Sequence, residues 1–240
     1  MAVDGAAACG EAPRMDVANE IMVRGIVVGV FAENCWVVGN RRTGEAICID
    51  PGDQPDEVLA LAKDMGVTIK AIANSHAHVD HILGVRGVQA ATGATFLLHQ
   101  SDLDLLRHGW QGAVSSFGID ESQAPPDPNG FVTNGDEVEV AGLKLKAIAT
   151  PGHTPGSVSY YADGLLFSGD TLFRGSIGRT DLPGGDFDEE MRSITNELLT
   201  LPEETIVLPG HMQETTVAFE RDHNPFVRDW LRRQREAAGE

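Results

Sequence analysis

Four side chains that bind first-row metal ions lie within six residues of one another, directly after an apolar run. They are His76, His78, Asp80 and His81, and the run before them is Ile69 to Ala73. Imidazole and carboxylate groups are ligands of zinc, iron and manganese, and so dense a cluster is not expected from packing alone. Alternate side chains of an extended chain point the same way, so the first two histidines should face one metal ion. Asp80 and His81 are adjacent, so they should point differently and reach a second ion.

The same local order recurs at three other places: an apolar strand, a Gly or Pro turn, and then a potential ligand. It precedes His153, Asp170 and His211. This arrangement gathers ligands at one edge of a sheet sandwich. Taken singly, Asp170 or His211 would be interpreted as a turn or capping residue, whereas the complete set of seven indicates a metal site. Asp50 has two open interpretations, a hydrogen bond to a ligand or a turn role. Three histidines fall outside the pattern and are assigned structural or surface roles: His99, His108 and His223.

Short β-rich runs alternate with helical patterns, which predicts a single α/β domain over residues 21–240 after a flexible leader over residues 1–20. Residues 123–135 are rich in Pro and Gly and are predicted to be a loop, either a flap near the site or a simple connection. Ser101 and Asp186 are predicted helix caps. The predicted strands are 26–31, 35–38, 46–49, 69–73, 95–98, 137–140, 143–148, 158–161, 165–167 and 206–208. The predicted helices are 56–65, 82–91, 101–107, one starting near 187, and 225–236.

The acidic balance of the chain restricts its partners. The formal charge is -18, from 36 acidic and 18 basic residues. Nucleic acids and anionic membrane surfaces would be repelled by such a protein. No apolar run approaches the ~18 residues that suggest a membrane helix. The chain has no signal-peptide pattern, and its three cysteines show no metal-binding spacing, so a cytoplasmic protein with reduced thiols is expected.

These motifs resemble the metallo-β-lactamase superfamily, whose pattern is His-x-His-x-Asp-His followed by a distant His, an Asp and a final His. The match runs from about Ile21 to the end of the chain. The resemblance implies an α/β fold, the four-layer αββα sandwich, with the site at one edge. It also implies two metal ions, zinc being expected and iron or manganese left open. In that reading His76, His78 and His153 hold the first ion, Asp80, His81 and His211 hold the second, and Asp170 bridges them.

The chemistry implied by this family is hydrolysis by a metal-activated hydroxide, with Asp80, His81 and Asp170 at the reacting centre. The stretches 172–181 and 183–186 resemble the glyoxalase II-like branch, the hydroxyacylglutathione hydrolases, in their short bacterial form. This likeness implies a small acyl-thioester substrate, with glutathione as the candidate carrier. Arg179 then stands where longer members carry a cation for the glutathione carboxylate. A structural salt bridge is the other interpretation of Arg179.

Two features depart from that branch. Met212-Gln213 stands where the family usually has Gly-Pro, so Met212 adds bulk beside the second metal ion. The chain also ends soon after its terminal helix, without the long helical domain that grips glutathione in larger members. Glutathione specificity therefore stays open, as does the oligomeric state.

Three other functions are weighed against thioester hydrolysis. A mononuclear iron persulfide dioxygenase of the same fold would use His76, His153 and Asp170 as a facial set of ligands. That group usually carries a Tyr shortly after the final ligand, and none follows His211 here. Lactone or β-lactam hydrolysis would use the same ions with a different pocket. A non-enzymatic metal scaffold predicts a broken ligand set, and this set is complete.

Overall fold

Two β-sheets, each antiparallel in one part and parallel in another, build the protein. The computed structural model describes residues 15–17, 20–111, 119 and 121–239. The first sheet has seven strands in chain order, antiparallel from β1 to β4 and parallel from β4 to β7. They are β1 Met15–Val17, β2 Ile21–Val28, β3 Glu33–Asn40, β4 Glu45–Ile49, β5 Thr68–Ala73, β6 Thr95–Leu98 and β7 Gly130–Phe131.

The second sheet has six strands in the order β15-β14-β11-β10-β9-β8. Its neighbours are antiparallel except for β11 and β14, which run parallel. Strands β12 and β13 form a separate two-stranded ribbon. The strands are β8 Glu137–Val140, β9 Leu143–Ala149, β10 Val158–Ala162, β11 Leu165–Gly169, β12 Leu172–Phe173, β13 Ser176–Ile177, β14 Ile206–Pro209 and β15 Thr215–Thr216.

Helices fill the connections between these strands. The α-helices are α1 Pro55–Asp64, α2 Val79–Ile82, α3 Val85–Thr92, α4 Leu103–His108, α5 Phe187–Asn196, α6 Val217–His223 and α7 Pro225–Ala238. Single turns of 3₁₀ helix lie at Gln100–Asp102, Glu121–Gln123 and Leu198–Thr200. Among the described residues, no helix is long and apolar enough to cross a bilayer.

Three separate hydrophobic clusters show how these elements are layered. The largest packs α1 and α3 on one face of the first sheet, and it includes Val58, Val88 and Ile72. The central cluster joins the inner faces of both sheets, so that Ile47 and Tyr160 belong to one core. The third covers the outer face of the second sheet with α5 and α7. The order helix, sheet, sheet, helix is the predicted αββα sandwich, and the fold prediction is confirmed.

The predicted helix over 82–91 is wrong in one respect, because two helices occupy this stretch. The amide of Leu83 donates to Gly52 O and the amide of Gly84 donates to Pro51 O, at 3.1 and 2.9 Å. These two amides therefore do not form helical i to i−4 hydrogen bonds, and α2 ends at Ile82. A side chain on Gly84 would also collide with Pro51, since its Cβ would lie 2.6 Å from that carbonyl oxygen. The loop after β4 thus sets the boundary.

Other differences are local. Ser101 does not cap a helix; the ring of His99 accepts a hydrogen bond from the Ser101 amide, and α4 begins at Leu103. The Asp186 cap is confirmed, since its side chain accepts from the Glu189 amide. The loop predicted over 123–135 contains β7, and β12, β13, β15 and α6 were not predicted. Most of the predicted leader lies outside the described residues, yet residues 15–17 pair with β2 as β1. The division into leader and domain stays a prediction.

Candidate metal centre

The predicted ligands lie in loops that leave the carboxyl ends of strands at one edge of the sandwich. Strands β4 and β5 are parallel, and they lead into Asp50 and into residues 74–81. Strands β9 and β11 both run antiparallel to β10, and they lead into His153 and Asp170. Strand β14 runs parallel to β11 and leads into His211. Because these strands end side by side, all seven predicted ligands meet at the same place.

The first cluster consists of His76, His78 and His153, whose ring nitrogens lie within 4.8 Å of one another. Nε2 of His153 is 2.8 Å from Nδ1 of His78 and 3.2 Å from Nε2 of His76. Three nitrogens this close to one another bring their lone pairs together. A divalent cation would accept all three at once.

The second cluster consists of Asp80, His81 and His211, which meet the same distance limit. Oδ2 of Asp80 is 3.2 Å from Nε2 of His211 and 4.0 Å from Nε2 of His81. Asp170 lies between the clusters: its Oδ1 is 3.3 Å from His81, and its Oδ2 is 3.6 Å from both His153 and His211. Its carboxylate therefore reaches nitrogens of both clusters, as a bridging ligand must.

A buried network behind the ligands fixes the tautomers of two imidazoles. Nδ1 of His81 donates to Oδ2 of Asp50 at 3.1 Å. The Ser75 hydroxyl donates to the same oxygen at 2.5 Å, and the Ser75 amide donates to Oδ1 at 2.6 Å. Since that hydroxyl proton is committed, Ser75 Oγ accepts from Nδ1 of His76, 2.9 Å away. In the neutral form of each ring, Nε2 is then unprotonated and faces the centre.

Asp50 also lies within ligand distance of His76 and His81. Its two oxygens already accept three hydrogen bonds from protein groups, however, so we read it as a support of the ligands. This choice favours the hydrogen-bonding interpretation of Asp50 from the sequence. The turn interpretation holds as well, because Asp50 has a positive φ of 48°.

His153 is oriented by a loop residue and by a residue of α5, neither of which the sequence obviously connects with it. Its Nδ1 donates to the carbonyl oxygen of Arg179 at 2.7 Å, and its amide donates to the buried carboxylate of Glu190 at 2.8 Å. The chain approaches closely at Gly178, where a Cβ would lie 1.8 Å from Asp170 O and 3.0 Å from Nδ1 of His153. Gly178 and Arg179 thus act through their backbone atoms, and only glycine fits at position 178.

The pKa values of the first cluster leave its imidazoles neutral. Burial, helped by the charges of neighbouring histidines, lowers the pKa of His76 well below its ordinary value. Burial also lowers the pKa of His78 to about 4. The pKa of His153 is lowered for the same first reason. Neutral imidazole is the form that binds a metal ion, so this cluster is ready to bind at neutral pH.

The second cluster shows the opposite pattern. Burial would lower the pKa of His81, but the charges of Asp170 and Asp80 outweigh it and raise this pKa well above its ordinary value. Burial also opposes a proton on His211, but the hydrogen bond to Asp80 and the charges of Asp170 and Asp80 together raise its pKa. The pKa of each carboxyl is lowered against the effect of burial, chiefly by the charge of His81. Protons here balance carboxylate charge that a cation would otherwise balance.

Two buried atoms test directly whether these residues fit metal ions. Nε2 of His81 and Oδ1 of Asp170 lie 3.3 Å apart without forming a hydrogen bond, and neither has another hydrogen-bond partner, although both are shielded from solvent. Unsatisfied buried polar atoms are rare and costly in native proteins. Both atoms face the centre and both are good ligand atoms, so a cation between them removes the cost. The residues present fit a metal centre.

The centre forms the floor of an open pocket of about 490 Å³. Its walls beyond the clusters are mainly apolar and include Phe31, Phe173, Leu182 and Met212. Arg179 lines the pocket, as the glutathione interpretation requires. Its guanidinium is nevertheless paired with Asp181 through two hydrogen bonds of 2.8 and 2.9 Å, so the salt-bridge interpretation also holds.

Asp102 supports the site, and no pattern in the sequence around it predicts this role. It is fully buried, and it accepts hydrogen bonds from the Ala77 amide at 3.0 Å, the Thr154 hydroxyl at 2.8 Å and the Gly156 amide at 2.7 Å. One carboxylate thus ties the loop of His76 to the loop of His153. In the sequence it is only an acidic residue near a helix start, where acidic residues are common.

Glu33 is a second buried carboxyl that the sequence did not reveal. Its Oε1 is 3.9 Å from Nδ1 of His81, and neither of its oxygens has a hydrogen-bond partner. Burial raises the pKa of Glu33 well above its ordinary value. As the first residue of β3, it has the sequence context of an exposed strand end.

Comparison with known proteins agrees with this geometry. The family model described as Metallo-beta-lactamase superfamily matches residues 28–211. The probable metallo-hydrolase YqgX of Bacillus subtilis is 41% identical over 188 residues, which cover 76% of this chain and 87% of that protein. An uncharacterized protein of Aquifex aeolicus is 37% identical over 214 residues, 88% of this chain and 99% of its own. Hydroxyacylglutathione hydrolase GloC of Haemophilus influenzae is 28% identical over 204 residues, covering 84% and 96%.

Solved structures give the same grouping. The BLEG-1 B3 metallo-beta-lactamase has 37% identity and a TM-score of 0.79, covering 86% of this chain and 99% of that one. TTHA1623, solved in a di-iron-bound form, has 36% identity and a TM-score of 0.72, with coverage of 84% and 98%. ETHE1 from Myxococcus xanthus has 31% identity and a TM-score of 0.70, with coverage of 85% and 83%. On the fold, the ligand clusters and these matches, the chain belongs to the metallo-beta-lactamase superfamily.

Proposed function

We propose that this chain is a dinuclear metal-dependent hydrolase of thioesters. Its first ion would be held by His76, His78 and His153, and its second by Asp80, His81 and His211, with Asp170 shared. The observation that carries the proposal is the reach of the Asp170 carboxylate, 3.3 to 3.6 Å from nitrogens of both clusters. Zinc is the proposed metal, with iron and manganese as alternatives. When bound, two such ions supply a hydroxide nucleophile near neutral pH and polarise a substrate carbonyl.

The residues of the chain then position water and substrate. Asp50 and the Arg179 carbonyl hold the rings of His81 and His153, so the ligand nitrogens do not turn away. Asp80 and Asp170, whose pKa values are lowered, remain ionised and can accept a hydrogen bond from water at the centre. These roles make Asp80, His81 and Asp170 the proposed catalytic residues.

The pocket lining favours a thiolate leaving group. Apart from the two clusters and Asp170, its described polar side chains are Ser176 and Arg179, and neither is a strong acid at neutral pH. An amine leaving group needs a proton from such an acid, whereas a thiol with a pKa of about 8.5 leaves readily as the anion. A thioester is therefore the substrate that best suits this lining.

Glutathione is the first carrier to test. The relationship to GloC of Haemophilus influenzae supports it, and Arg179 lies in the pocket to receive a carboxylate. The pairing of Arg179 with Asp181 weakens that support, because a glutathione carboxylate would have to compete for the guanidinium. We therefore propose acyl-thioesters as the substrate class, with the glutathione-linked ones as members to be tested.

Two other functions retain specific support. A mononuclear iron persulfide dioxygenase could use His76, His153 and Asp170. Nε2 of His153 lies 3.2 Å from Nε2 of His76 and 3.6 Å from Oδ2 of Asp170. A β-lactam hydrolase is suggested by the similarity to the BLEG-1 lactamase. The residues after His211 favour a two-metal hydrolase over the first of these, since they lack the Tyr that is usual in that dioxygenase group.

The test compares substrates on protein loaded with zinc, iron or manganese. Thiol release from S-lactoylglutathione and from S-acetyl-N-acetylcysteamine, β-lactam opening, and oxygen uptake with glutathione persulfide are measured in parallel. We expect thiol release that Asp170→Asn abolishes and that Asp163→Asn, in the exposed turn between β10 and β11, leaves intact. Oxygen uptake without thiol release, or β-lactam opening without thiol release, contradicts the proposal.

A further inference from the structure

A second cavity adjoins the metal pocket. Its volume is about 210 Å³, and its apolar wall is formed by Val28, Val30, Phe31, Leu83 and Ile119. Phe31 and Asp80 line both cavities, so the two meet at these side chains. We call the smaller cavity the side chamber. Asp80, a member of the second cluster, thus lies at the boundary between the two cavities.

The polar residues at the chamber are already engaged with one another. Oδ1 of Asp53 accepts hydrogen bonds from the Gln54 amide at 2.7 Å and from the Gln123 side chain at 3.3 Å. The Gln54 side chain in turn accepts from the Gly29 amide at 2.9 Å. No basic side chain is among the described residues that line the chamber. An anionic group would therefore lose hydration there without gaining a counter-charge, whereas an apolar group has little hydration to lose.

The hairpin turn between β2 and β3 leaves apolar surface uncovered at this place. Val30 is 82% exposed, and Met212, across the metal pocket, is 58% exposed. Single exposed apolar residues are ordinary on protein surfaces. Here Val30 lines the side chamber, Met212 lines the metal pocket, and Phe31 lines both. Apolar surface grouped in this way at a site is typical of ligand binding.

We propose that the side chamber binds an apolar acyl group of the thioester, while the thiol carrier lies in the larger pocket. This inference rests on the proposed function, and it names the acyl class of the substrate. A dry apolar cavity of about 150 Å³ accommodates benzene in another protein. The side chamber is larger, so it accommodates a phenyl ring or a short branched aliphatic chain. The preferred substrates are then arylacyl or branched acyl thioesters, rather than lactoyl thioesters.

The test uses two thioesters of one neutral carrier, phenylacetyl-N-acetylcysteamine and acetyl-N-acetylcysteamine. The measured quantity is the ratio of their kcat/KM values on zinc-loaded protein. One methylene in an apolar pocket is worth about tenfold or more, so we expect a ratio of at least about ten in favour of phenylacetyl. Val30→Phe enlarges a side chain that lines the chamber, and it should lower this ratio by about tenfold. Val27→Phe adds the same ring to the same hairpin outside the chamber lining, and should keep the wild-type ratio.

Binding without catalysis separates this inference from the proposed function. Phenylacetamide, which is neutral, is titrated into metal-free protein and followed by ligand-observed NMR. The inference stands if wild type and Val27→Phe bind phenylacetamide and Val30→Phe binds it at least about tenfold more weakly. If this binding pattern is found but no thioester is hydrolysed, only the proposed function fails. It is overturned if thioesters are hydrolysed with a ratio near one, or if Val30→Phe leaves both the ratio and the binding unchanged.

Discussion

Asp50→Asn removes one negative charge behind the second cluster and changes almost nothing else. Asp50 is 1% exposed, so its carboxylate is desolvated. Asn has nearly the same size and also tolerates the positive φ of 48° found here. One amide oxygen can still accept from the Ser75 amide. The amide NH₂ then faces Nδ1 of His81, which donates in the native protein. Two donors cannot pair, so His81 must carry its proton on Nε2, the atom that faces the metal.

The size of the effect follows from this change of tautomer. Replacing a group that orients a ligand typically costs 10- to 100-fold in metal affinity, or about 1.4 to 2.8 kcal/mol. We expect this loss at the second cluster, because His81 bonds Asp50 directly at 3.1 Å. The first cluster touches Asp50 only through Ser75, so its affinity should fall less.

The assay is competition for zinc against a chromogenic chelator, analysed for two stepwise dissociation constants. Asp163→Asn is the matched control, since Asp163 also has a positive φ, 47°, but lies in an exposed turn. The control should keep both constants. If Asp50→Asn also keeps both constants within about twofold, the reasoning about the His81 tautomer is refuted.

Three further predictions follow from the same structure. As the pH falls from about 7 to 5, the second cluster should lose its metal before the first. Protons compete for its nitrogens, whose pKa values are raised, at a higher pH than for the nitrogens of the first cluster, whose pKa values are lowered. Metal content after dialysis checks this prediction, and equal loss of both ions contradicts it. Met212→Gly should raise the free energy of unfolding by about 1 kcal/mol and the Tm by roughly 2–4 °C, because Met212 has a φ of 69°, which strains any residue with a Cβ. Met212→Ala keeps the Cβ and should not raise the Tm, so equal Tm values for the two variants contradict the assignment of strain. Asp102→Ala should lower the free energy of unfolding by about 3 kcal/mol or more, since three buried donors lose their acceptor; urea unfolding measures it, and a loss below about 1 kcal/mol contradicts it.

The ligands could be predicted from the sequence because each carries its own local signal. His76 to His81 form a dense cluster, and His153, Asp170 and His211 each follow an apolar strand and a Gly or Pro turn. His76 to His81 follow a strand of the first sheet and the other three ligands follow strands of the second, so it is the packing of the two sheets that gives them a common location. The structure brings together all seven residues, while their roles as ligands stay a proposal.

The supporting groups could not be predicted, because they act across long sequence distances. Asp102 bonds residues 25 to 54 positions away, and Glu190 bonds an amide 37 positions away. Their own sequence surroundings are those of ordinary helix starts. Arg179 is the reverse case, since its charge suggested a ligand role, and the structure adds a role for its backbone carbonyl. No side-chain pattern predicts a contact made by a carbonyl group.

The boundaries of the elements failed where tertiary contacts override local pattern. Residues 82–91 have helical periodicity, but the loop at Pro51 and Gly52 takes two of the amides that one helix would need. The two-residue strands β12, β13 and β15 are too short for an alternating pattern. The side chamber likewise depends on Ile119 meeting a hairpin about 90 residues earlier in the chain.

The most direct test of the account is the metal content per chain, measured by elemental analysis of protein purified without added metal, together with thiol release on that same sample. The account predicts close to two zinc ions per chain and hydrolysis of acyl-thioesters. About one iron with little zinc, and oxygen uptake with glutathione persulfide in place of thiol release, would contradict it.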